Sequence, residues 1–463
     1  MQFALVAHIL AMGLGYGLLL PVSVMMGLAK SKFHFPMQLL TACVAGVGYI
    51  SSFLIHTGYH YTAHKGMGFF MVLVLAVQLV CGAYTLLFLR NQCTVSAETS
   101  VPYEASLWKR YLHRILPPVS ANGDSQGPVA SLSAPARWVR FVHKWIDIFS
   151  LLWAYMEIVM GTMVTLGICF EPETGRCAAH FIKGSILVGY GVVQLVLLHL
   201  GVQWLARRQR PVEYFESLLC MLFGTVTILH EHRPGSSWSH RDIQHTVIGV
   251  VFLFGGLGAF LVTSFTSIKS RPPIIALIYL FVGLSMGFHH QEKHLSTQIH
   301  GLFGASFALA SVSRLIELVC LSSNPSSALW SMHSFQSVTS FFCMLAGYIL
   351  MGSTNGQVDI LLAHKVDAGS YAMLHVSFAF FTFAYVLGMI CLYQAVRGKP
   401  VMNTTNEDAH ERHDSRNSMD FEIYHQNRAY QPVSQHGDAS HSPNVNHPSF
   451  ENSNEEKGPF NRL

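Results

Sequence analysis

The chain alternates long apolar runs with short polar interruptions, and the interruptions carry most of its charge. Stretches such as Phe3 to Leu28, Gly66 to Leu89, Phe181 to Leu205 and Tyr371 to Val396 are long enough to cross the hydrocarbon core as helices, which takes roughly 20 residues. Apolar runs and their breakers predict about eleven spanning helices. These open near Phe3, Met37, His64, Trp138, Ala178, Glu213, His245, Pro273, Ser296, Trp330 and Ser370. Inside lipid the backbone must satisfy its own hydrogen bonds, so the expected fold class is all-α, a multi-pass transmembrane helical bundle.

Two polar stretches are too long to be turns. Residues 92–135 hold Pro117, Pro118, Asn122, Gly123, Asp124, Gly127 and Pro128, a composition that cannot bury enough apolar surface to order itself, and they are read as a flexible insert. Residues 398–463 turn to Asn, Ser, His, Asp and Glu and are read as a disordered tail. The Arg207 to Pro211 linker divides what remains into 1–206 and 207–397.

Composition sharpens the membrane reading. The chain is 51% hydrophobic and 12% charged, where a soluble domain carries about a quarter of its residues charged. The net charge of +4 says little, but its distribution assigns sides. One set of loops holds Lys30, Lys32, Arg90, Lys109, Arg110, Arg114, Arg137, Arg207, Arg208, Arg210, Lys269, Arg271, Arg397 and Lys399. The opposite set offsets its few bases with acids such as Glu171, Glu173, Glu231, Asp242 and Asp359. Positive charge stays on the untranslocated side, which predicts an outside N-terminus and a cytoplasmic C-terminus. The first helix, with no basic segment before it, is expected to serve as its own signal. The Asn403-Thr404-Thr405 sequon then falls in the cytoplasmic tail, where glycosylation is not expected. Plasma membrane and endomembranes both accommodate this organisation. Of the nine cysteines, Cys169 and Cys177 flank a short outer loop. They form either a disulfide in an oxidising lumen or two free thiols.

Candidate chemistry lies in the histidines at the helix ends. His8 and His64 open the first and third helices, while His34 and His143 open the second and fourth. Successive helices reverse direction, so His8 shares one leaflet with His64 and His34 the other with His143. Two facing imidazoles on neighbouring helices are what bis-histidine ligation of a b-type haem requires. Interfacial histidines also act as amphipathic anchors, and His56 and His60 compete as outer ligands. No Cys-x-x-Cys-His occurs, which excludes covalent c-type haem. Glu157, in mid-helix, should face a partner or a cavity.

The His8 to Pro21 phrase, the His64-Lys65-Gly66-Met67-Gly68 opening and Phe141-Val142-His143-Lys144-Trp145 resemble the transmembrane core of the ascorbate-reducing, di-haem cytochrome b family. The resemblance covers about the first 170 residues. It implies haem b on the pairs His8/His64 and His34/His143, and a cytosolic reductant such as ascorbate as electron donor.

In the second half, His230-Glu231-His232, then Trp238, His240, Asp242 and His245, then His289, His290, His294 and His300 gather on the outer side. His290 and His294 are four apart, a usual spacing for two ligands on one helix face. His232, Asp242, His245, His290 and His294 form the candidate Zn or Cu set; the alternatives are a hydrated polar cap and a pH-sensing surface. The long motif from Glu216-Ser217 through Trp238 to Gly249, Gly255-Gly256, His289 to His300, Tyr348 to Thr354 and Ser370-Tyr371 resembles the fungal yeast-putative-transmembrane-protein (Ytp-like) family.

Function is then expected to be transmembrane electron transfer or metal-linked oxidoreductase activity. The alternatives are a metal-dependent membrane hydrolase using the outer His/Asp cluster, or a non-enzymatic membrane protein with metal or pH sensing. Whether the chain is an enzyme stays open at this stage, as does its oligomeric state. The sequence holds no glycine-rich nucleotide loop, nucleophile elbow or basic nucleic-acid face.

Overall fold

The computed structural model describes residues 2–55, 62–86, 134–170, 174–201, 210–232, 235, 237–265, 271–288, 291–323 and 333–397. The regular elements among them are all helical. In chain order they are α1 (Gln2–Leu28), α2 (His34–Ser52), α3 (Thr62–Tyr84), α4 (Ala134–Leu166), α5 (Thr174–Leu200) and α6 (Val212–Glu231). These are followed by α7 (His240–Phe265), α8 (Ile274–Gly287), α9 (His294–Ser323), α10 (His333–Met351), α11 (Asn355–Ala363) and α12 (Ala368–Arg397).

Among the described residues, nine helices are long and apolar enough to cross a membrane. The α10–α11 pair adds a span broken by a 78° bend, and α8 is a shorter apolar helix. Every predicted helix start therefore has an observed counterpart within a few residues. The large exposed hydrophobics, among them Phe3, Val80, Leu229, Phe265 and Phe381, form the lipid-facing surface of an integral multi-pass membrane protein. Most of the insert, the tail, His56, His60 and His290 lie outside the described residues.

Helix α1 is not uniform. It contains a π-helical turn over Gly15–Leu19, and Pro21 cannot donate to the carbonyl of Gly17 one turn back. The Tyr385 hydroxyl of α12 donates to that carbonyl at 2.7 Å, tying the chain's last span to its first. Helices α1 to α4 enclose their own core of Tyr16, Leu20, Val24, Ala45, Met71, Leu75 and Ala154. Helix α5 packs on α10 and α12, within the C-terminal set. Contact there needs glycine: a Cβ on Gly347 would sit 2.6 Å from the Gly184 carbonyl oxygen, so small residues let the two backbones meet.

Alternation of the spans puts the starts of α1, α3, α5, α7, α9 and α12 at one membrane face, here the N-terminal face, and the starts of α2, α4, α6, α8 and α10 at the opposite one. Cys169 and Cys177 are joined in a disulfide that closes the α4–α5 turn at the N-terminal face.

Candidate functional site

The four first-half histidines come from four different helices and meet as two pairs. At the N-terminal face the His8 and His64 rings lie 6.3 Å apart between centroids, at 83° to one another. His8 Nδ1 donates to the Gly48 carbonyl at 2.8 Å. His64 Nδ1 lies 2.9 Å from Glu157 Oε1, the partner that this mid-helix acid was expected to need. Gly161 lies beneath the His64 ring, where a Cβ would stand 3.2 Å from Cε1. The other nitrogen of each ring is thereby turned away from its anchor, the usual outer-shell arrangement for a metal-ligating imidazole.

The pair at the opposite face is tighter. His34 Nδ1 donates to the Ser23 carbonyl at 2.8 Å, and His34 Nε2 lies 3.1 Å from His143 Nε2. Asp147, one turn after His143, places Oδ2 3.3 Å from His34 Nε2 and 3.8 Å from His143 Nε2. Its other oxygen accepts from Gln38 Nε2 at 3.0 Å and Gln78 Nε2 at 2.8 Å. A Cβ on Gly27 would overlap the His34 ring. Among the described residues, His34, His143 and Asp147 are the one group of three whose ligand atoms gather within 4.8 Å of one another.

The two pairs differ in their fit to a haem. With metal–nitrogen bonds of about 2 Å, an axially bound metal sets the two imidazole centroids roughly 6 Å apart, close to the His8–His64 spacing of 6.3 Å. Glu157 lies on the Nδ1 side of His64, behind the ligand. In the second pair the carboxylate stands in front. The distances from Asp147 Oδ2 put it about 3 Å from the midpoint of the two Nε2 atoms, inside the footprint of a porphyrin held by axial ligands. The His8–His64 spacing suits two imidazoles that share one metal, whereas at the opposite face Asp147 occupies the space a porphyrin would need.

The second-half candidates are dispersed. His232 Nδ1 lies 3.4 Å from Asp242 Oδ2, and its ring stacks on Trp238 at 3.9 Å. Asp242 also accepts from the Ser239 backbone N–H at 3.1 Å while its own N–H bonds to Ser239 Oγ at 3.1 Å, a capping box that starts α7. His245 Nδ1 lies 3.3 Å from Glu231 Oε1, which also pairs with Lys183. His294 is exposed at the start of α9, and His290 lies outside the described residues. Near His245 a cavity of about 310 Å³ has Phe223, Phe252, Phe303 and Phe307 on its walls, together with His180 and His300.

Three features escaped the sequence reading. Asp147 and the two glutamines that hold it were missed, although an acid one turn after a helix-opening histidine in an apolar run is a signal for them. His180 of α5 was missed because it looks like part of an ordinary helix opening. The ionic network of the C-terminal helices was missed too. Arg314 bonds Glu213 at 2.9 Å, Glu216 at 3.0 Å and Glu317 at 2.6 Å, and Arg271 bonds Glu213 at 2.7 Å and Glu317 at 2.8 Å.

Residues 153–394 match the family described as Protein YTP1-like, C-terminal. Residues 1–88 match a domain of unknown function (DUF2427). The chain is 29% identical over 273 residues to Protein YTP1 of Saccharomyces cerevisiae, an alignment that covers 58% of each chain. It is 23% identical over 485 positions to an uncharacterized membrane protein of Schizosaccharomyces pombe, covering 85% of this chain and 94% of that one. A second Saccharomyces cerevisiae protein, also an uncharacterized membrane protein, is 26% identical over 259 residues, covering 45% of this chain and 41% of its own. No solved structure matches the chain.

Proposed function

Taking as premise that the chain belongs to the YTP1-like family of membrane proteins, which it matches over residues 153–394, we propose that it carries electrons across the bilayer. A b-type haem bound by His8 and His64 serves the N-terminal face, and a second metal centre at His34 and His143 serves the other. The observation that carries this reading is the convergence of four histidines from four helices into two pairs at opposite faces. When bound, haem supplies a one-electron iron couple whose potential is tuned by its axial ligands and their hydrogen bonds. The chain's own residues hold the imidazoles in place: Gly48 fixes His8, and Glu157 stands behind His64. Both Glu157 and His143 belong to α4, and their separation of fourteen positions places the two centres about 21 Å apart along it. A cytosolic reductant such as ascorbate is the proposed donor at the face opposite the N-terminus.

The test is a dithionite-reduced minus oxidised spectrum of the purified full-length protein, with metal content measured on the same sample. A b-type signal lost in His64→Ala supports the proposal. A protein without haem overturns it. A second reading, metal-dependent hydrolysis or metal sensing at the N-terminal face, draws support from the position of His245, His180 and His300 around one cavity. Stoichiometric zinc in a haem-free protein would favour it.

A further inference from the structure

We propose that His34, His143 and Asp147 bind a single non-haem divalent transition-metal ion at the face opposite the N-terminus. Its role as the second redox centre rests on the electron-carrier reading above, whereas its coordination rests on geometry alone. His34 Nε2, His143 Nε2 and Asp147 Oδ2 form a triangle with sides of 3.1, 3.3 and 3.8 Å. The point equidistant from the corners lies about 2 Å from each, the length of a bond from such a metal to imidazole nitrogen or carboxylate oxygen. Two imidazoles and one carboxylate set around an ion in nearly one plane leave the positions above and below that plane open, and these donor types suit iron(II), zinc or copper.

Two further observations support the site. Its ligands are already oriented from behind: the Ser23 carbonyl holds His34, and Gln38 and Gln78 hold the far oxygen of Asp147, as outer-shell partners of a metal do. Its charge is incomplete, because the ion-pair partners of Asp147 among the described residues are these two histidines and no lysine or arginine. The competing state is a protonated His34 paired with Asp147, with no ion.

Cobalt(II) is the probe. It is titrated into the full-length protein in detergent, and its d–d absorption is read beside the haem bands of the same sample. One saturable cobalt per chain is expected, with affinity at least roughly tenfold weaker in Asp147→Asn and unchanged in His64→Ala. Absence of saturable cobalt binding, wild-type affinity in Asp147→Asn, or a second haem lost in His143→Ala would each overturn the proposal. If Asp147→Asn does not fold, X-ray absorption of the wild-type cobalt complex decides. A shell of two imidazoles with oxygen supports the site, and a ring of four equatorial nitrogens overturns it. Cobalt binding without any haem would end the electron-carrier reading and leave the ion site standing. One haem without cobalt would do the reverse.

Discussion

Two buried polar clusters lie at the same membrane face, one in each helical bundle, and they use their charges differently. In the C-terminal bundle Arg314 and Arg271 are cross-linked to Glu213, Glu216 and Glu317. Tyr190, Gln194 and Gln336 add bonds to the same carboxylates, and among the described residues Glu213 Oε2 is the one atom of this network that is buried without a partner. In the N-terminal bundle Asp147 has two histidines and two glutamines, and His143 Nδ1 and both glutamine carbonyl oxygens lack partners among the described residues. A buried network that matches its carboxylates with arginines almost completely serves the fold. One whose carboxylate has no arginine or lysine among the described residues and faces two imidazoles is the one proposed to take a cation.

The largest effect that would break this comparison is expected from Arg314→Leu. Removing one partner of a buried ion network leaves uncompensated charge and costs about 3–5 kcal/mol, so thermal unfolding in detergent should shift strongly downward. A variant as stable as wild type would mean that this network is not structural. His143→Leu, in contrast, removes an underbonded group from the other cluster. Its unfolding temperature should stay near wild type while cobalt binding disappears.

Glu157→Gln tests the third cluster, at the N-terminal face. Taking the negative charge from behind His64 should raise the midpoint potential of a haem held there, by on the order of 60 mV for a tenfold change in a one-electron equilibrium. A potentiometric titration reads it, and an unmoved potential would separate Glu157 from the ligand. Tyr385→Phe removes the hydroxyl that serves the Gly17 carbonyl and should cost about 1 kcal/mol, visible as a small loss in unfolding temperature without loss of haem. The smallest effect concerns Asp367. Its side chain accepts from the Ser370 hydroxyl and backbone N–H, which holds its carboxyl below the usual range. Its contribution to stability is therefore present above the unfolded value, near 4, and is lost as pH falls through the folded one. Asp367→Asn should slightly flatten the acid limb of a stability profile.

Much of the architecture was legible in the chain. Hydrophobic length located the spans, but not the 78° break that sets α11 apart from α10, where Thr354 caps the new helix. The pairing of His8 with His64 and of His34 with His143 followed from alternation alone, since neighbouring spans must reverse. What alternation could not supply was the placement of the carboxylates. Glu157 and Asp147 lie on the same helix as His143, yet one stands behind an imidazole and the other between two. The second-half histidines were grouped by sequence proximity, whereas the fold draws in His180 and Lys183 from α5, about fifty residues earlier.

The sequence by itself determined that this is a helical membrane protein, where its helices begin, and which histidines share a face, because in lipid the backbone must close its own hydrogen bonds and span length is set by bilayer thickness. Only the tertiary structure decided that α5 belongs with the C-terminal helices, that Tyr385 of α12 completes the backbone of α1, and that Asp147 stands in front of its histidines. Helix rotation and close approach set these features. Both depend on packing against neighbours distant in the chain, to which the local periodicity of an almost uniformly apolar run is blind.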